Sequence, residues 1–72
     1  MKGNFFYNRL GERVISEREK KSLSQEKLGE ISDVDRTYIA RIEEGKVNPS
    51  IMVLYKIAKA LKMKLSQLLK GV

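Results

Sequence analysis

The chain has no cysteine and no histidine among its 72 residues, and only one proline, Pro49. Without cysteine it forms no disulfide and no thiolate metal site, which fits a reducing compartment. Without histidine as well, the common metal sites and most general-base or nucleophile schemes lose their usual side chains. Enzymatic activity is therefore not expected, and no cofactor, metal or small-molecule ligand is implied. Apolar runs are only a few residues long, as in Ile51-Met52-Val53-Leu54-Tyr55, too short for a membrane span. The first residues lack the apolar stretch of a secretory signal. A cytoplasmic location, away from membranes, is the expectation.

Seventy-two residues suffice for one small domain, 1–72. A core of this size leaves roughly 3–5 kcal/mol in reserve, so burial through dimerisation would help it. The net charge of +6 is unevenly placed. Residues 1–44 carry nine basic and nine acidic groups, whereas residues 45–72 carry six lysines (46, 56, 59, 62, 64 and 70) and no acid. That bias suits an anionic partner such as nucleic acid, although a lysine-rich surface can also be merely well solvated.

Apolar residues recur at helical spacing throughout, and no segment alternates like a strand. A first helix is expected from Asn4, as N-cap, to Lys21. Leu10, Val14 and Phe6 would lie on one stripe, with Arg13–Glu17 and Glu17–Lys21 pairs on the wet face. Ser24 caps a second helix, Gln25 to Ser32, with Leu28 and Ile31 inward. Residues 33–35 turn, with Val34 tucked into the core, and Asp35 caps a third helix from Arg36 to Glu44 that Gly45 ends. Ile39 and Ile42 face the core; Thr37, Tyr38 and Arg41 do not share that face. After a loop around Pro49, Ser50 or Asn48 caps a fourth helix, Ile51 to about Lys62, burying Leu54, Ile57, Ala58 and Leu61. A short fifth helix runs from Leu65 to Lys70. The expected fold is all-α: a compact five-helix domain with a helix-turn-helix unit at 25–44, the arrangement that presents one helix to the major groove of DNA.

Several segments resemble the lambda-Cro/C1-type helix-turn-helix family, also called XRE. They are Leu10-Gly11-Glu12-Arg13, Leu23-Ser24-Gln25-Glu26-Lys27-Leu28, Tyr38-Ile39-Ala40-Arg41-Ile42-Glu43-Glu44-Gly45, Asn48-Pro49-Ser50, Leu54 through Leu61, and Leu65-Ser66-Gln67-Leu68-Leu69. The run Asp35-Arg36-Thr37-Tyr38-Ile39 is also similar to the controller proteins of restriction–modification systems. The resemblance implies a lambda repressor-like DNA-binding domain and a transcriptional regulator of double-stranded DNA. Gly29 would sit where the two helices cross, which explains a helical glycine that costs roughly 1 kcal/mol relative to alanine. The sequence departs from the family at Ser22, Asp33 and Lys62, where the family often places glycine after a helix. Ser22 and Lys62 would carry backbone strain there or use another turn.

The resemblance also assigns roles. Arg36, Thr37, Arg41 and Tyr38 are the candidate base readers. Arginine's planar fork matches guanine O6 and N7, and threonine can bond a base edge or touch a thymine methyl. An exposed arginine is usually just a solvated charge; the argument for contact is its place in the first turns of the recognition helix. Tyr38 can equally stack on the DNA backbone or pack beside the second helix. Ser24, Gln25, Lys46, Asn48 and Ser50 are expected at phosphates, aided by helix N-termini. Asp35 needs no role beyond capping. Arg18 and Glu43 match the places of a structural ion pair.

A single reading head touches few base pairs, so a homodimer on a near-palindromic operator is expected, with RNA polymerase as a further possible partner. The dimer seam is expected within 63–72, from Met63, Leu65, Leu68, Leu69 and Val72. The competing reading is an antitoxin or adaptor of the same fold whose main partner is another protein; a nonspecific chromosome-coating protein is a third.

Overall fold

The computed structural model describes residues 2–72, with side chains from Phe5 onward. The apolar spacing produces five helices: α1 (Lys2–Lys20), α2 (Gln25–Ser32), α3 (Arg36–Glu43), α4 (Ile51–Ala60) and α5 (Leu65–Leu68). Helix α1 packs on α3, α2 lies between α3 and α4, and α5 closes against α4. The domain measures 32 × 23 × 21 Å. Its core consists of Leu10, Val14, Leu28, Val34, Ile39, Ile42, Leu54, Ile57, Ala58, Leu61 and Leu68, drawn from all five helices and the turn.

Side chains set the helix starts. The Lys27 N–H donates to Ser24 Oγ at 2.9 Å, the Thr37 N–H to Asp35 Oδ1 at 2.7 Å, and the Val53 N–H to Ser50 Oγ at 3.1 Å. Ser50 and not Asn48 is therefore the cap of α4. Helix α1 begins at Lys2, ahead of Asn4, so Asn4 does not open it; its side chain lies outside the described residues. The ends share one solution. Ser22, Asp33, Gly45 and Lys62 all adopt positive φ, between 56° and 73°. The chain then folds back: Leu23 N–H donates to Arg18 O, Val34 to Gly29 O, Lys46 to Arg41 O and Met63 to Ala58 O. Ser22 and Lys62 thus accept the left-handed geometry that suits glycine. These stops come early, and α4 and α5 finish at Ala60 and Leu68, short of Lys62 and Lys70.

Two close approaches fix the helix crossings. A methyl on Gly29 would stand 2.8 Å from the Val34 carbonyl oxygen, so the expected packing reason for this glycine is present. A methyl on Gly11 would stand 2.5 Å from the carbonyl oxygen of Glu43 and 2.6 Å from that of Ile42. The α1–α3 crossing is therefore backbone against backbone.

Three expectations need correcting. Ile31 is 49% exposed. The inward side of α2 is Leu28, Gly29 and Ser32, and Ile31 lies roughly 100° round the helix from its centre. The buried Ser32 hydroxyl donates to Leu28 O at 2.6 Å, and Val34 supplies the apolar bulk instead. Phe6 is also exposed, beyond the reach of the core, in an edge contact with Tyr7 at 5.7 Å. Glu17 is buried, not on a wet face. It pairs with Arg13 at 2.7 Å as expected, but with Lys20 at 3.2 Å in place of Lys21. Arg13 in turn donates to Gln67 O and Leu68 O, adding a side-chain donor to carbonyls at the end of α5.

Arg18 and Glu43 form the expected ion pair in bidentate geometry, 2.7 and 3.1 Å, with side chains 14% and 3% exposed. Arg18 Nη1 also donates to Leu23 O at 2.8 Å. The hydrogen bond to Glu43 raises the Arg18 pKa against the opposing effect of burial. Its contribution is thus present below the ordinary arginine range and is lost only as pH rises past the raised value.

Arg18→Ala leaves Glu43 buried without its cation and is expected to cost about 3–5 kcal/mol in urea denaturation. A midpoint equal to wild type would remove the pair from its structural role. Lys62→Gly relieves a left-handed lysine and is expected to stabilise by about 0.5–1 kcal/mol, the relief exceeding glycine's added chain entropy. A lower melting temperature would show that the strain is absent.

Candidate nucleic-acid interface

Residues of α3 divide by face. Ile39, Ile42 and Glu43 are buried, Tyr38 and Ala40 half-buried, and Arg36, Thr37, Arg41 and Glu44 exposed. Asp35 takes up the Thr37 N–H and so fixes the first turn in which Arg36 and Thr37 stand. Thr37 and Arg41 are one turn apart and project together, with Ala40 leaving space beside them. Glu44 shares that side, so the exposed stripe is not uniformly basic. Tyr38 packs against the core cluster and is the least available of the four expected readers.

The close approach of Gly29 to Val34 O, with Arg36 backbone atoms 3.4 Å from the added methyl, sets how α3 leaves α2. At the other end, Gln25 Nε2 donates to Glu43 Oε1 at 2.8 Å. The first residue of α2 is therefore held by the last residue of α3. No sequence spacing rule foretells this bond between residues 18 apart. It leaves the Gln25 carbonyl oxygen and its second amide hydrogen for other contacts.

Ser24 and Ser50 each use an oxygen lone pair in capping and keep the O–H as a donor. Lys46 and Asn48 are exposed on the α3–α4 loop, anchored by buried Pro49. Lys46 Nζ lies 3.8 Å from Glu44 Oε1, a loose surface pair. Lysines 56, 59, 62, 64 and 70 form no ion pair with any described acid. The candidate phosphate contacts thus flank the exposed stripe of α3 at the start of α2 and on the loop towards α4.

At the end of the chain, Leu68, one of the expected seam residues, is fully buried in the core of the single chain. Met63, Leu65, Leu69 and Val72 are half-buried and pack against the core from outside. A second apolar face lies on α2 and α4, where Ile31, Met52 and Tyr55 are exposed around a groove of about 490 Å3 that Lys56 and Lys59 also line. Periodicity hid part of this face, because Ile31 looks like a core residue in sequence. Among the described residues no helix is long and apolar enough to cross a membrane.

Comparison with known proteins agrees with the geometry. The helix-turn-helix family HTH_3 matches residues 14–68. The control protein C.SmaI of Serratia marcescens is 43% identical over 60 residues, covering 83% of this chain and 71% of that protein. The control protein C.MunI of Mycoplasma sp is 44% identical over 55 residues, covering 76% and 74%. The crystal structure of the restriction-modification controller protein C.AhdI from Aeromonas hydrophila superposes with a TM-score of 0.84 at 35% identity, covering 86% of this chain and 94% of that one. With the exposed stripe of α3, its Asp35 cap and the Gly29 crossing, these likenesses place the chain in the XRE-type helix-turn-helix family of non-enzymatic, DNA-binding transcriptional regulators.

Proposed function

We propose that the protein regulates transcription as a homodimer on a near-palindromic operator, in the manner of a restriction–modification controller. The observation that carries this is the capped first turn of α3, which holds Arg36 and Thr37 outward while Ile39 and Ile42 anchor the helix. In this reading Arg36, Thr37 and Arg41 meet base edges, with Tyr38 at the margin, and Ser24, Gln25, Lys46, Asn48 and Ser50 hold the backbone. The likeness to controller proteins supports it. RNA polymerase is the expected further partner where the bound dimer activates a promoter.

The seam is assigned to Met63, Leu65, Leu69 and Val72, with the exposed face of Ile31, Met52 and Tyr55 as the second candidate. Exposure favours the latter, since the former group is already packed on the core. Sedimentation of Leu65→Glu and Met52→Glu separates them. Loss of dimer in the first alone keeps the seam at the chain's end, loss in the second alone moves it to α4, and a wild type that stays monomeric at high concentration rejects the dimer.

Selection from a random duplex pool, followed by footprinting, tests the whole reading. Two half-sites about 34 Å apart along one face of the duplex are expected. Enrichment of no sequence would overturn specific recognition. On the selected site, Arg36→Ala is expected to cost about 1–3 kcal/mol and to relax preference at one base pair. Lys46→Ala should weaken all sequences alike and reduce the magnitude of the salt slope by about 1. Thr37→Ala should melt like wild type and bind less tightly.

A further inference from the structure

The groove between the first turns of α1 and the exit from α3 brings in two side chains, Tyr7 and Asn8, to which the proposed DNA contacts give no role. It encloses about 610 Å3. Tyr7 and Asn8 form one wall, Arg41, Lys46 and Asn48 the other, with Glu44 among them. Asn8 lies directly on Gly45, and a side chain at Gly45 would collide with it, so the bare backbone there brings the two elements together. Tyr7 and Asn8 precede the span that the family matches, so the family likeness assigns them nothing. Neither side chain takes part in a hydrogen bond among the described residues.

The lining holds two cations and one carboxylate, a positive balance. Arg41, Lys46 and Asn48 are also residues of the candidate DNA surface, so the groove borders that surface and continues it towards α1. A phenol hydroxyl and a carboxamide beside a lysine suit an oxyanion: the first two donate hydrogen bonds and the third supplies charge. The loose Lys46–Glu44 pair at 3.8 Å leaves the lysine readily transferable. We propose that this groove seats a phosphodiester of the DNA backbone, with Tyr7 and Asn8 donating to it and Lys46 neutralising it. Helix α1 thereby extends the phosphate contacts beyond the helix-turn-helix unit. The inference rests on the DNA-binding reading above.

The electrostatics predict opposite signs for two neighbours. Asn8→Asp places a carboxylate against the phosphate and weakens binding, whereas Glu44→Gln removes one and tightens it. Tyr7→Phe should weaken binding about tenfold, the size of one hydrogen bond to a charged group. Because Tyr7 and Asn8 are neutral, Tyr7→Phe and Asn8→Ala should leave the slope of affinity against salt unchanged, unlike Lys46→Ala.

The experiment uses the intact chain and a synthetic duplex carrying the selected site, with methylphosphonate replacing each phosphate in turn. Wild type is expected to lose affinity at one phosphate per half-site, with Asn8→Ala and Tyr7→Phe losing less there and their melting temperatures unchanged. A general loss of fold would leave the positional profile intact and would not mimic this. If wild type binds the duplex while Asn8→Asp, Tyr7→Phe and Glu44→Gln all match it, the proposal falls and the DNA-binding reading stands. If wild type itself prefers no duplex, that reading falls and this proposal with it.

Discussion

The carboxylate of Glu43 is the point on which the arrangement of this domain turns. It is almost wholly buried and accepts from Arg18 twice and from Gln25 once. Arg18 stands near the end of α1, Gln25 opens α2 and Glu43 closes α3, so one side chain ties three helices. A buried carboxylate with fewer donors would be a liability, because desolvation of an ion costs several kcal/mol and is offset only by good geometry. Here the geometry is bidentate and no buried side-chain polar atom of the described residues lacks a partner. The same residue contributes its backbone: its carbonyl meets Gly11, so α1 cannot slide along α3 without losing both contacts.

Rigidity at that end complements the crossing at Gly29. A recognition helix is useful only if its angle is fixed relative to the elements that grip the backbone of DNA. Gly29 sets the angle at the start of α3, and Glu43 sets it at the finish. Between them, Ile39 and Ile42 supply apolar anchorage, and the outward side is left free to vary. The exposed residues carry little of the stability, which separates what the surface recognises from what holds it in place.

Much of this was legible in the sequence because local rules govern it. Helix α2 runs from Gln25 to Ser32 as its cap and periodicity require, and Asp35, Ser24 and the isoleucines of α3 behave as their spacing implies. What escaped depends on partners far along the chain. Ile31 satisfies a three-residue spacing yet faces outward, because the buried side of α2 is centred on Leu28, Gly29 and Ser32, roughly 100° away. Arg13 and Glu17 look like an ordinary surface pair until Gln67 and Leu68 arrive beside them. Ser22 and Lys62 show that the backbone closure of a helix can dictate a left-handed residue even where no glycine is supplied.

The arginines of α1 carry a kinetic consequence. Arg9 donates to the carbonyl of Val72, and Arg13 to those of Gln67 and Leu68, contacts that span 63, 54 and 55 residues. Leu10 and Val14 likewise enter a core completed by Leu61 and Leu68. Closure of such long loops precedes any reward from the contacts they make. Helix α1 is thus tied twice, to α3 through Arg18 and Gly11 and to the last residues through Arg9 and Arg13. Contacts of both short and long span converge on one helix, so unfolding as a single cooperative unit is the expectation for this domain.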